Sequence, residues 1–357
     1  MMDRICYLAC VLLLSACVAP MTQRVTVSDA ASKAEAEKQR ELAVGEQVEE
    51  QKRLSRIYAG LATNGAELCP KLRPYTGVFS MSKPKSGDMG PVYERVYGIK
   101  ERQTVLFVNP GSPAESAGVQ PKDVIKNVNG ISTEKTEDIV AMFEKVEPDA
   151  PISAEIEREG KTLTIVVQPQ KACRYPARVS PEQVINAFAD GKNIMIARGM
   201  MSFARDDNEL ALVVAHELAH NTMAHIDAKK ANMGLGLLAD IATLLLTRGQ
   251  TNPGFANAGA GAYSQEFEAE ADYVGLYIMA KSGLPIDDAP KFWRRMAAAH
   301  PASIKSNHAA SHPSTAHRMV ALEEAVKEIK EKVAKGEPLV PNMKDGKPKG
   351  PAAGSEK

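Results

Sequence analysis

The stretch His216-Glu217-Leu218-Ala219-His220 carries the most specific chemistry in the chain. Side chains four apart on an α-helix share a face, so His216 and His220 can point two imidazoles at one metal ion. Glu217 sits one step round, within reach of a water held by that ion, where a carboxylate acts as general base. Two surface histidines at a chance spacing are the alternative. The apolar run Leu210–Ala215 argues against it, because burying a His and a Glu without partners is costly. The ion expected of these ligands is zinc, one per chain, with three protein ligands and one position left for water. The third ligand expected is Glu268, in Glu266-Phe-Glu268-Ala-Glu270-Ala-Asp272. Glu268 and Asp272 are one turn apart and share a face, whereas Glu266 and Glu270 face elsewhere. Asp272 is then placed to accept the free N–H of a ligating histidine and fix its tautomer. One pattern that would supply the third ligand, an extension of the motif, needs Gly at 223 and His at 226. Those positions hold Met223 and Ile226, and His225 points off the metal face.

The elements that must position these side chains read as follows. Asp206-Asp207-Asn208 supplies capping side chains, and no Gly or Pro interrupts Glu209 to Asp227, which predicts one continuous helix. Ala262 to Lys281 is a second helix, carrying Glu268 and Asp272. Asp287 to Ala299, with the only Trp at 293, is a third, and Ser314 to Lys335 a fourth. Asn186–Ala189 and Asn193–Ala197 flank Asp190-Gly191 as a hairpin whose outer edge can hold an extended substrate. Met233–Leu246 is apolar but too short to span a bilayer, and Asp240 interrupts it. It reads as a core helix or a flap over the cleft, with membrane contact as the sharper alternative. Thr251–Ala262 reads as a mobile loop, and 336–357, rich in Pro, Gly and Lys, as a disordered tail.

The chain has 357 residues, 44% of them hydrophobic, enough for one or two sizeable cores. Formal net charge is zero and no basic patch stands out, so composition gives nucleic-acid binding no support. All seven histidines lie at or beyond His216, which suggests one His-using site in the C-terminal half. Residues 1–16, with Arg4, an apolar Ile5–Leu14 and then Ser15-Ala16-Cys17, resemble a bacterial lipoprotein signal peptide. The resemblance implies cleavage before Cys17, lipidation of Cys17, and a tether over 17–27. Val18 follows Cys17 rather than Asp, which points to the periplasmic face of the outer membrane. Cys6 and Cys10 would leave with the signal. Cys69 and Cys173 remain as an even pair in an oxidising compartment, either disulfide-bonded or two buried thiols. The Ala/Glu/Lys/Gln-rich segment 28–66 lacks Pro and reads as a long helix, with Leu54, Ile57, Tyr58 and Leu61 as its apolar stripe.

Residues 70–170 have a different texture. Val105–Val108 is a strand, Asn129-Gly130 a turn, Asp138–Phe143 a short helix, and Ile152–Glu157 with Thr162–Val167 a hairpin around Glu159-Gly160. With Gly111-Ser112-Pro113-Ala114, Ala117-Gly118, Asp123-Val124-Ile125 and Val128-Asn129-Gly130, this segment resembles a PDZ domain of the bacterial periplasmic-protease kind. Such domains take a peptide, often a C-terminus, as an added strand. Tyr97-Gly98-Ile99 is one candidate for the carboxylate loop, an ordinary turn at Gly98 the other.

Over 176–335, Asn186-Ala-Phe-Ala, Arg198-Gly199-Met200, Glu209-Leu-Ala, the His216–His220 motif, Glu268 with Asp272, and His312-Pro313 with Arg318 follow one another in order. This series resembles the HtpX-like zinc metallopeptidases, gluzincins related to the prenyl-protein endopeptidases. The resemblance implies an α+β fold: a mostly helical zincin-type core with a small β-hairpin or sheet, here with an inserted β-rich PDZ domain. It implies His216, His220 and Glu268 as zinc ligands, Glu217 as general base and Asp272 behind the ligands. It also implies His312 and Arg318 near the substrate or the oxyanion. His300 has no assigned role, and His308 and His317 read as surface residues. The function expected is endopeptidase cleavage of unfolded or misassembled envelope proteins. The alternative is a non-proteolytic chaperone or assembly scaffold that binds protein partners through the PDZ domain.

Overall fold

The structure, a computed structural model, describes residues 22, 25–83, 88–136, 139–143, 146–247, 254, 264–299 and 316–344. The chain divides into two units, 1–42 and 43–357. Helix α1 (Asp29–Asn64) begins in the first and continues through the second. From Val44 onward it buries a stripe, Val44, Val48, Gln51, Leu54, Tyr58 and Leu61, at the spacing of one helix face.

The inserted domain is an antiparallel sheet. Its strands are β2 (Val78–Met81), β3 (Thr104–Val108), β4 (Val124–Val128), β5 (Ile131–Ser132), β6 (Ile152–Arg158) and β7 (Lys161–Val167). The order is β2-β3-β4-β6-β7, with β5 on β4. Asn129-Gly130 and Glu159-Gly160 both have positive φ at both residues, the geometry that matches hairpin twist. Helix α2 (Met89–Tyr97) ends on Gly98, so that glycine is a helix cap and the carboxylate-loop option at Tyr97-Gly98-Ile99 falls. The glycine turn that does lead into the edge strand β2 is Thr76-Gly77. A Cβ on Gly77 would sit 2.2 Å from that of Ser112. Short helix α3 (Pro113–Ser116) starts on Ser112, whose hydroxyl accepts from the Glu115 N–H, with Pro113 in the first turn. Ile139–Phe143, expected as a short helix, is a 3-10 turn.

Strand β1 (Leu72–Tyr75) pairs antiparallel with β8 (Gln170–Cys173), and a Cys69–Cys173 disulfide lies at the same place, joining the entry of the insertion to its exit.

The C-terminal core contains β9 (Ala177–Ser180), β10 (Ala187–Ala189) and β11 (Ile194–Ala197), ordered β10-β11-β9. It continues as α4 (Arg198–Phe203), α5 (Asp207–Thr222), α6 (His225–Leu246), α7 (Ser264–Lys281), α8 (Ala289–Ala299) and α9 (Ala316–Lys335). The largest hydrophobic cluster is here, and Leu54, Tyr58 and Leu61 of α1 join it. A second cluster fills the inserted sheet, and a third joins Val44 and Val48 of α1 to Val92, Ile99, Leu106 and Phe107.

Three expectations need correction. The helix predicted from Glu209 to Asp227 breaks: α5 stops at Thr222, Ala224 takes a left-handed conformation, and α6 starts at His225. Met233–Leu246 is no core helix. It is the second half of α6, with Leu235, Leu238, Ile241 and Leu245 exposed and the small or polar Asn232, Gly236, Asp240 and Thr243 half-buried. The tail expected to be disordered from Gly336 is packed at its start: Pro341 is buried, the Asn342 N–H donates to Tyr273, and its side chain donates to Glu328. Thr251–Ala262, apart from Gly254, and Cys17 lie outside the described residues. Among the described residues, no helix is long and apolar enough to cross a membrane.

Candidate active site

Helix α5 is anchored at its start and buried for most of its length. The Asp206 carboxylate accepts from the Glu209 N–H at 2.8 Å, and Arg295 of α8 forks onto Glu209 at 2.8 and 2.6 Å. Every residue from Leu210 to Thr222 is buried. Such a helix has no solvent face, so its polar side chains must be satisfied within the fold.

His216 and His220 converge on one point, their Nε2 atoms 3.1 Å apart. Glu268 of α7 closes the triangle, with Oε2 3.3 Å from His216 Nε2 and Oε1 3.3 Å from His220 Nε2. Tetrahedral ligands about 2.0–2.1 Å from zinc lie roughly 3.3–3.4 Å from one another, so the spacing fits the ion. Two imidazole nitrogens and a carboxylate are also the donor types zinc takes. All three side chains are buried. Glu217, next on the same helix, is buried with them.

A second layer orients the first. His216 Nδ1 lies 2.9 Å from Asp272 Oδ1, one turn beyond Glu268 on α7. Arg318 of α9 forks onto Asp272 through Nε and, at 2.8 Å, through Nη2, and its Nη1 lies 3.4 Å from Glu268 Oε2. The Trp293 ring packs 5.0 Å from His216 and 4.7 Å below the Arg318 guanidinium. Burial works against charge at each of these groups, and the ion pairs overcome it. Burial lowers the His216 pKa, but hydrogen bonds to Asp272 and Glu268 raise it to about 9. Burial raises that of Asp272, but the Arg318 charge and hydrogen bond bring it below the usual carboxylate value.

On the other side, His220 Nδ1 is 2.9 Å from His225 Nδ1, and His225 Nε2 is 2.8 Å from Glu270 Oε2. Sequence reasoning set His225 aside because it ran α5 straight through 223–224, and Glu270 because it is two steps from Glu268 and faces elsewhere on its own helix. The break resets the helical phase and turns His225 back toward His220. A further residue it missed is Asn221. Its Oδ1 accepts from the Gly191 N–H at 2.8 Å and its Nδ2 donates to the Asn193 carbonyl at 3.0 Å. It thereby pins the β10–β11 turn to the end of α5, and β10 is an outer strand of its sheet. An Asn directly after the second histidine of the motif was the available signal. Arg318 faces Asp272 and Glu268 rather than open space, His317 is exposed, and His300, His308 and His312 lie outside the described residues.

Comparison with known proteins finds two regions of similarity. Residues 153–326 match the family model described as Peptidase family M48, and residues 104–158 match that described as PDZ domain. The chain contains an M48 peptidase domain joined to a PDZ domain. Relatives of the M48 domain include the mitochondrial metalloendopeptidase OMA1 of Schizosaccharomyces pombe, 29% identical over 173 residues, which are 47% of this chain and 51% of that protein. The beta-barrel assembly-enhancing protease of Yersinia pestis is 29% identical over 127 residues, 32% of this chain and 26% of the relative. That of Escherichia coli K12 is 25% identical over 126 residues, 31% and 26%. The chain thus spans about half the length of the first relative and about a quarter of the other two.

Proposed function

We propose that the chain is a zinc-dependent endopeptidase of the bacterial cell envelope that cleaves unfolded or misassembled proteins. The observation that carries this reading is the buried His216–His220–Glu268 triangle at zinc spacing, with a carboxylate, Glu217, beside it on the same helix. A structural zinc site is closed by four protein ligands and has no use for that carboxylate. The names of the relatives, a metalloendopeptidase and an assembly-enhancing protease, agree with it.

His216, His220 and Glu268 would hold the zinc, which when bound supplies Lewis acidity and makes water a nucleophile near neutral pH. Glu217 takes the proton from the attacking water and then gives it to the leaving amine. Asp272 holds the His216 N–H, and Arg318 holds Asp272. The outer edge of β10 offers backbone groups to an extended substrate beside α5. His312 is assigned to oxyanion stabilisation by the resemblance of its sequence motif. The PDZ domain recruits the substrate: β2 is an outer strand, and a cavity of about 120 Å³ lined in part by Val78, Phe79, Ile139 and Phe143 lies beside it. Lipidation at Cys17 would tether the enzyme to the periplasmic face of the outer membrane.

The test is cleavage of casein by wild type and by Glu217→Gln, with the zinc content of each measured. Equal zinc and loss of cleavage in the variant alone is the expected outcome. Equal zinc with cleavage by neither would favour a scaffold that binds envelope proteins without cutting them.

A further inference from the structure

The two ligand histidines are backed in unlike ways, and the difference identifies two residues that the peptidase reading leaves without a role. His216 reaches a carboxylate directly, at Asp272. His220 Nδ1 leads to one through a second imidazole, in the order His220 Nδ1, His225 Nδ1, His225 Nε2, Glu270 Oε2, over steps of 2.9 and 2.8 Å. His225 is 1% exposed. Its ring stacks on Phe267 of α7, centroids 4.7 Å apart and planes within 21°. Phe267 and Glu270 are three apart on α7, so they grip one ring from neighbouring positions of the helix that also carries Glu268.

The proton inventory has one solution once a cation is held. His220 Nε2 must present a lone pair to the ion, so its proton is on Nδ1. That N–H meets His225 Nδ1, which must accept. The His225 proton is therefore on Nε2, where the Glu270 carboxylate accepts it. Each tautomer is set by the next group along, and an arrangement with a second proton on His225 would oppose two N–H donors.

We propose that His225, backed by Glu270, is a positioning residue for the zinc site that fixes the tautomer and ring plane of His220. The proposal rests on the zinc reading above. Its consequence is that zinc affinity depends on a ring that touches neither ion nor substrate, delivered by the helix break at Ala224.

The test uses the full chain, stripped of metal, with zinc affinity read by chelator competition and the site geometry by the absorption spectrum of the cobalt-substituted protein. His225→Phe keeps an aromatic ring on Phe267 and removes both nitrogens. It is expected to weaken zinc binding about 10- to 100-fold, the usual effect of losing such a partner, and to alter the cobalt spectrum. The Glu270 side chain is 44% exposed, so Glu270→Ala leaves the core intact. It is expected to weaken zinc by a smaller factor, Glu270→Gln to recover most of that loss, and Glu270→Ala to add nothing in the His225→Phe background. Zinc affinity of His225→Phe within twofold of wild type would overturn the proposal, whether or not the thermal midpoint of the metal-free protein falls. If His225→Phe does not fold, the Glu270 pair decides: Glu270→Ala indistinguishable from wild type overturns it. Wild type that binds zinc normally while these variants do so too sinks this proposal alone, whereas wild type that binds no zinc sinks the peptidase reading.

Discussion

Arg318 carries the charge balance of the site. Glu268 and Asp272 are both buried, and the guanidinium reaches both, pairing two-pronged with Asp272 and lying 3.4 Å from Glu268. Burial opposes its charge, but Asp272, Glu268 and Glu217 around it push its pKa further up. Removing one partner of a buried pair leaves an uncompensated charge, which costs about 3–5 kcal/mol. Arg318→Met should therefore lose roughly that much stability in urea unfolding, and Arg318→Lys should recover little of it, because an ammonium cannot fork across two oxygens. A loss below about 1 kcal/mol would place the pair among those of surface value. The sequence resemblance put Arg318 near the substrate or the oxyanion, and its pairing with Asp272 had no local signal. A ligand pair at four-residue spacing is set by one helix, whereas the partner of an arginine is set by how α7 and α9 pack, which no local pattern records.

The α5–α7 contact has its own determinant at the level of elements. Gly275 faces the backbone of α5 closely: a Cβ there would stand 3.2 Å from the backbone of Ala215 and His216. Backbone cannot rotate away, so Gly275→Val should force α7 off α5, costing about 1–3 kcal/mol by overpacking. Glu268 and Asp272 ride on the same helix, so zinc affinity should fall with it. Chelator competition checks this, and unchanged affinity would mean the helices yield elsewhere. Gly275 was findable: a glycine inside a helix costs about 1 kcal/mol against alanine and usually has a packing reason. Elements with local signals were legible in the same way. The turns at Asn129-Gly130, Glu159-Gly160 and Asp190-Gly191 all join paired strands. The break at 223–224 was not legible, because helix propensity is a weak prior that tertiary contacts override, here the contacts of His225. The apolar half of α6 misled for a different reason. Hydrophobicity marks residues that favour burial, and says nothing of whether this chain buries them.

At the scale of the whole chain, the insertion of the PDZ domain is closed by one covalent bond. Cys69 and Cys173 are 104 residues apart, and their disulfide sits beside the β1–β8 pair, so the PDZ domain hangs on a stapled two-stranded stem. The staple also abuts the active helix: Cys69 Sγ lies 3.4 Å from the Thr222 hydroxyl at the end of α5. A disulfide acts mainly by restricting the unfolded chain, more so for longer loops, and removing one typically costs about 2–4 kcal/mol. Cys69→Ser with Cys173→Ser should lower the urea midpoint by that much while the folded variant keeps its zinc, since neither sulfur touches a ligand. Wild type unfolded in the presence of a thiol reductant should fall to the same midpoint as the double variant. Because the bond is buried, the reductant should act only through unfolding, so the two curves should merge slowly, at the rate at which the native state opens. A reductant that leaves the midpoint untouched at long times would mean the two sulfurs are thiols in the folded protein. The case for an oxidising compartment would then lose its structural support, while the His216–His220–Glu268 triangle, built from other residues on other helices, would stand.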